Sequence, residues 1–580
     1  MAPPASAALL GPPVAVNTNV AAAADPKPTR RDSSPDYSSS DDDDMLMACG
    51  GVEKKVAKEA PRSGRALAYA SSGDPCVDFF FQIVPGATSA ADVASLLDVA
   101  WARDARAALR LVCHLRGVRS LGKGDREGFY AAALWMHARH PKTLAGNLAT
   151  FASDGEFEAA KERRRQEEAQ LARAALARYD SDEAFRFLYD RVADMFAEML
   201  KSDVEHLRAG DTAKIGLAAK WCPSLRSSYD RATLLCEAIA RRIFPRESSQ
   251  EYLNISDKHY AYRVRDRLRR EVLVPLRKAL ELPEVYMCAC KFEELPYARV
   301  ASVAMRKYKE VFQKHDKHRV IGFFDEVRTG HARMPADGVL PHELIAAALK
   351  GEHDEAAELQ WRRMAASLAA EGRLANCIAV CGLSGAATAV ADQPASAAVA
   401  LGLLISELSQ EPWKGRVITF DKTHQLHKVL GANLKEKLRP LVAAMGAHKK
   451  GANLQGVFSK ILQLAVAGGL QKDMMVKRVF VLSDMDFDGW TGAAWKTEYQ
   501  GICDKFVAEG FTVPQVVFWN LGTSKASMPV VAAQEGAALV SGYSKNLVRL
   551  FLEADGELTP AAVVADAISG PEYDALEVFD

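Results

Sequence analysis

Hydrophobic positions follow two regimes along the chain. Between about 71 and 370 they recur with helical period: Leu96, Leu97 and Trp101, then Ala107, Leu111 and Leu115, with charged residues between. Residues 155–200 are a long run of helix formers, with Glu156, Glu158, Lys161, Arg163 and Arg164 on polar faces. Further helices are predicted at 186–200, 229–243, 260–280, 297–315 and 341–367, with Pro245, Pro283, Pro296 and Pro341 at boundaries. Successive helices without strands imply a stacked helical array, although no clean repeat period emerges. From 376 the pattern changes. Short apolar runs at 376–381, 416–420, 478–483, 515–520 and 537–541 read as strands, with helices at 395–409, 454–467 and 544–553. Continuous apolar strands alternating with helices predict a mostly parallel sheet covered on both faces. A ligand site in such a fold lies beyond the carboxyl ends of the strands, where the loops 382–386, 452–455 and 484–489 belong.

A length of 580 residues implies several domains, and 49% hydrophobic residues is ample for their cores. Lys plus Arg equals Asp plus Glu at 74 each, so any attraction for nucleic acid must be local. The ten cysteines lack paired zinc spacing; Cys288-Ala-Cys290 is the tightest pair, and free thiols are the plain expectation. No stretch reaches the roughly 20 apolar residues of a membrane span. Residues 1–66 read as a disordered tail. They are rich in Ala and Pro, and then carry serines followed by Asp41 to Asp44, a run that argues against an organelle import signal.

Local charge is strongest over 241–320, with 19 Lys and Arg against 11 Asp and Glu. Helical spacing sets Arg263, Arg267 and Arg270 on one flank, and Lys307 and Lys309 form a second cluster. With Tyr262 and Tyr308 interleaved, this surface suits phosphate contact and base stacking; a solvated, internally neutralised face is the other reading. The basic, Gly-rich stretch Arg116–Arg126 is either an anion site or a structural turn, and it lacks the spacing of a phosphate-binding P-loop. Asp484, Asp486 and Asp488 alternate before Gly489 like the start of a calcium loop, without its twelfth-position glutamate. Asp421, His424 and His427 complete the polar residues expected near the sheet edge, the two histidines sharing a helix or turn face. No catalytic residue set emerges from these groups.

The half from about 371 resembles a von Willebrand factor A domain. The region 71–580 resembles the plant and viral family of domain of unknown function DUF2828, whose C-terminal part is DUF7788, through stretches such as Pro75–Phe81, His259–Arg269, Leu295–Met305 and Val481–Asp488. More distantly, the layout is similar to the Ro autoantigen family, where a helical TROVE ring binds noncoding RNA and an A domain closes the ring. The resemblance implies a multidomain chain: tail 1–66, an all-α helical-repeat (HEAT/TROVE-like) array over 67–370, and a Rossmann-like α/β A domain over 371–580. It also implies a Mg²⁺ site in which Gly382, Ser384, Ala386, Ala452 and Asp484 stand at the five ligand positions. Only Ser384 and Asp484 keep a side-chain oxygen, so no bound metal or other cofactor is expected, Mg²⁺ or Ca²⁺ being the weak exception. The expected function is that of a non-enzymatic scaffold or interaction protein, in the cytoplasm or nucleus, partnered by another protein or a noncoding RNA. Ro-like RNA binding is the first alternative and an aspartate-based hydrolase the second. Oligomeric state is not readable.

Overall fold

The computed structural model describes residues 71–117, 121–153, 165–382, 393–420, 424–445, 454–485, 492–522, 528–552 and 558–580. The tail 1–66 lies outside them. Among the described residues, 71–373 hold helices and turns with no strand. Helix starts follow local chemistry. Asp74, Ser89, Asp104, Asp125, Asp182 and Asp354 each accept a hydrogen bond from a first-turn amide, satisfying a donor the helix itself cannot. Pro75, Pro141, Pro283 and Pro341 open helices, where a missing N–H costs nothing.

Several predicted helices are broken or shifted. The 229–243 helix splits at Leu234, whose φ of 59° is left-handed. The 341–367 helix is two, Pro341–Leu349 and Glu355–Glu371. The 260–280 helix runs as Asp257–Arg267, a π-helical turn Leu268–Leu273, and Val274–Ala279. Pro275 explains the wide turn: its ring would clash with the carbonyl four residues back in a regular α-helix. The 544–553 helix is a tighter 3₁₀ segment, Lys545–Phe551.

The sheet has six strands: β1 (Cys377–Cys381), β2 (Arg416–Thr419), β3 (Leu426–Lys428), β4 (Arg478–Ser483), β5 (Gln515–Asn520) and β6 (Ala537–Ser541). Their order is β3-β2-β1-β4-β5-β6, all parallel except β3, which runs antiparallel to β2. β1, β4 and β6 are buried along their whole length, as expected of a sheet with both faces covered. β3 went unpredicted because three residues carry too little pattern to register.

Three hydrophobic cores result. One lies within the helices between Ala193 and Leu276, and another between Met287 and Leu359. The largest joins residues 76–151 and 336–368 to the entire α/β half. The switch of pattern near 371 is therefore a change of secondary structure and not a boundary between cores. The helix Pro75–Gln82 packs on β6, burying Phe79, Phe80 and Phe81 completely. Two buried lysines fasten this seam. Lys123 Nζ donates to Phe80 O, to Ile83 O (2.9 Å) and to Ser541 Oγ (2.6 Å). Lys545 Nζ donates to the carbonyls of Ala336, Asp337 and Val339 at 3.1, 2.6 and 3.2 Å. Residues 577–580 strap back onto the helical half: the Asp580 carboxylate accepts from Lys142 N, Thr143 N and Thr143 Oγ1, while Asn147 brackets Glu577.

Candidate functional site

At the carboxyl edge of the sheet, the strand order reverses between β1 and β4, so Gly382 and Asp484 flank the switch point. Gly382 N donates to Leu482 O at 3.1 Å, and a Cβ added at 382 would lie 2.6 Å from Phe420 Cβ. Phe420 thus fills the space that any side chain at position 382 would need. Asp484 is half-buried, and Gly522 approaches its backbone too closely for any larger residue there. Ser384 lies outside the described residues, as do Ala386, Ala452, Asp421, Asp486 and Asp488. Among the described residues, no group of three or more His, Cys, Asp or Glu side chains could hold a metal ion. The expected shared face of His424 and His427 is not found. His427 sits on β3, its Nε2 2.9 Å from Thr419 Oγ1, while His424 precedes the strand in a left-handed conformation and packs against Gly456.

The basic surface of 263–309 is largely paired. Arg267 makes a two-point bond to Glu271 (both 2.9 Å), donates to Tyr252 Oη at 2.6 Å and lies 4.2 Å from the Phe244 ring centre. Arg270 meets Asp266 at 2.5 Å, Arg263 meets Glu251 at 3.5 Å, and Lys309 meets Asp354 at 2.7 Å. Tyr308 donates to Glu284 at 2.9 Å, and Lys307 lies over the Tyr308 ring. Tyr262 is the exception, with 60% of its surface exposed beside Arg263. The wide π turn also displaces Arg270 from the flank that regular helical spacing gave it. In the Arg116–Arg126 stretch, Lys123 turns inward to carbonyl oxygens, which favours the structural-turn reading. Burial lowers its pKa to about 7, and burial beside Lys123 takes His114 down to about 3.

The feature that sequence spacing missed is a cleft of about 1140 Å³ among the helices. One wall is the 26-residue helix Glu183–Arg208, whose Leu188, Val192, Met195 and Phe196 face inward at helical spacing. Phe129, Leu144 and Phe151 form a second wall, and Leu273, Leu282 and Val285 a third. Its charged lining is unbalanced: Arg116, Lys220, Arg269, Arg277, Lys278 and Lys291 against Glu284 and Glu294. Arg277 is fixed by the carbonyls of Ala219 (2.9 Å) and Cys222 (2.8 Å) and by Ser224 Oγ (2.9 Å). Lys220 lies 4.5 Å from the Trp221 ring centre, Lys291 pairs with Glu294, and Lys278 is exposed. Three separate stretches of chain converge here, and each alone reads as an ordinary amphipathic helix, so no local signal could have announced the cleft.

Comparison with known proteins covers most of the chain. A viral protein, "Uncharacterized protein L728" of Acanthamoeba polyphaga mimivirus, is 26% identical over 525 residues, covering 86% of this chain and 85% of that protein. Residues 376–571 match the family described as "Domain of unknown function (DUF7788)". Residues 63–155 and 152–374, more than half of the chain, match "Domain of unknown function (DUF2828)", and the chain belongs to that family.

Proposed function

We propose that this chain is a non-enzymatic interaction protein whose helical region receives a segment of another polypeptide in the cleft between its helical cores. The observation that carries this reading is the cleft itself. Its volume of about 1140 Å³ exceeds the roughly 300–1000 Å³ of small-molecule pockets, and its apolar walls with a cationic lining suit an amphipathic, acidic peptide. The α/β half acts in this proposal as a buttress of A-domain type. The order β3-β2-β1-β4-β5-β6 with an antiparallel β3 supports that assignment, and the filled space at Gly382 supports a site that has lost its metal. A helical array of TROVE or HEAT type is the corresponding proposal for the first half.

Fluorescence anisotropy with labelled acidic–apolar and basic–apolar peptides tests the binding role. The acidic series is expected to bind, and Val285→Asp in the third wall to weaken it at least about tenfold. Equal binding of both series, or indifference to Val285→Asp, would sink the proposal. A second reading, RNA contact near Tyr262, rests on that exposed ring beside Arg263.

A further inference from the structure

Six cationic side chains line the cleft against two carboxylates; Arg269 also meets Asp266 at 3.6 Å and Lys291 meets Glu294 at 2.9 Å, which leaves the lining cationic on balance. Outside the described residues the chain holds Asp41-Asp42-Asp43-Asp44-Met45-Leu46-Met47, four negative charges followed directly by three long, flexible apolar side chains. Residues 48–70 separate this segment from Ser71, and 23 extended residues reach at most about 80 Å. That span exceeds the width of a domain this size. We propose that Asp41–Met47 docks into the cleft in cis, Met45, Leu46 and Met47 against the apolar walls and the aspartates beside Lys220 and Lys278. This inference rests on the reading of the cleft as a polypeptide-binding site and names its resident occupant. An outside partner then competes with the chain's own segment.

Methionine and leucine suit walls built from several helices, because unbranched side chains adapt to irregular surfaces. The aspartates supply the charge that complements the cationic lining, and the three apolar residues supply the bulk that complements its walls. Charges of this kind act through a Debye length of about 10 Å at 0.1 M salt, so docking weakens as salt rises.

The test uses the full chain with a benzophenone amino acid at position 46, irradiated at low protein concentration and mapped by mass spectrometry. Crosslinks within one chain to residues 188–196 and 273–285 are expected. Asp41→Asn through Asp44→Asn together, and separately Lys220→Glu with Lys278→Glu, should each lower their yield about tenfold, with the melting temperature unchanged. Crosslinks elsewhere, crosslinks only between chains, or a yield indifferent to both charge variants would overturn the proposal. The four-asparagine variant also separates this idea from the one beneath it. If acidic–apolar peptides bind that variant and the wild type equally well, the cleft binds polypeptide and the cis occupant is wrong. If they bind neither, both readings fail.

Discussion

Lys123 and Lys545 show how single side chains hold the two halves together. Each brings an ammonium group into the interior and surrounds it with three protein oxygens, which replace the water it gave up. Burial still lowers both pKa values, to about 7 and about 8. His114, beside Lys123 and packed 5.2 Å from the Phe80 ring, is lowered from 6.5 to about 3, and buried His342 to about 4. As pH falls below about 6.5, protons bind these histidines in the unfolded chain before the folded one. Their contribution is therefore complete above that pH and is lost progressively down to the folded values. Between pH 6.5 and 5 each histidine should cost about 2 kcal/mol of stability. Urea unfolding of His114→Phe across that range should show a shallower loss than wild type, and parallel curves would contradict the assignment. Such burial was not legible in the sequence: Lys123 sits in the Gly-rich stretch that suited an anion site as well as a turn, and nothing in the pattern singled out His114.

At the level of elements, apolar pattern located most helices and five of the six strands, since each long element buries a face with a fixed period. It failed where a neighbour decides the outcome. Pro275 forces the π turn, and β3 exists only because β2 offers it an edge. The charged residues failed differently. Spacing found Arg263, Arg267 and Arg270 but could not tell whether they face solvent or one another's counterions. In the fold, Arg267 ties the Asp257–Arg267 helix to Tyr252 and Phe244. Arg267→Ala should therefore lower stability by about 1–2 kcal/mol by thermal or urea unfolding. Arg267→Glu with Arg270→Glu discriminates the RNA reading. Lost retention of structured RNA in a gel shift at two salt concentrations, with the melting temperature unchanged, would restore that reading; a lowered melting temperature with no RNA retained by wild type would remove it.

The whole molecule has a more continuous interior than its sequence suggests. The sheet topology and its covered faces were readable from 376 onward, but the largest core also includes Phe79–Phe81, Trp361 and Leu368 from the helical half. Residues 371–580 produced alone would leave β6 without the helix Pro75–Gln82 and Ser541 without its partners Phe80 O and Ile83 O. That fragment should lack the cooperative melt that the full chain shows; a sharp two-state transition of the fragment would show the seam to be dispensable.

The contact from Ser541 to Phe80 bridges 461 positions of chain. A ribosome adding about 5–20 residues per second needs roughly 20–90 s to make that stretch. Throughout that interval three adjacent phenylalanines near the start of the folded region have no β6 to cover them. The nascent protein is therefore a natural client for chaperones that shield apolar segments, and its yield in a foreign host should depend more on their supply than on the strength of any single contact.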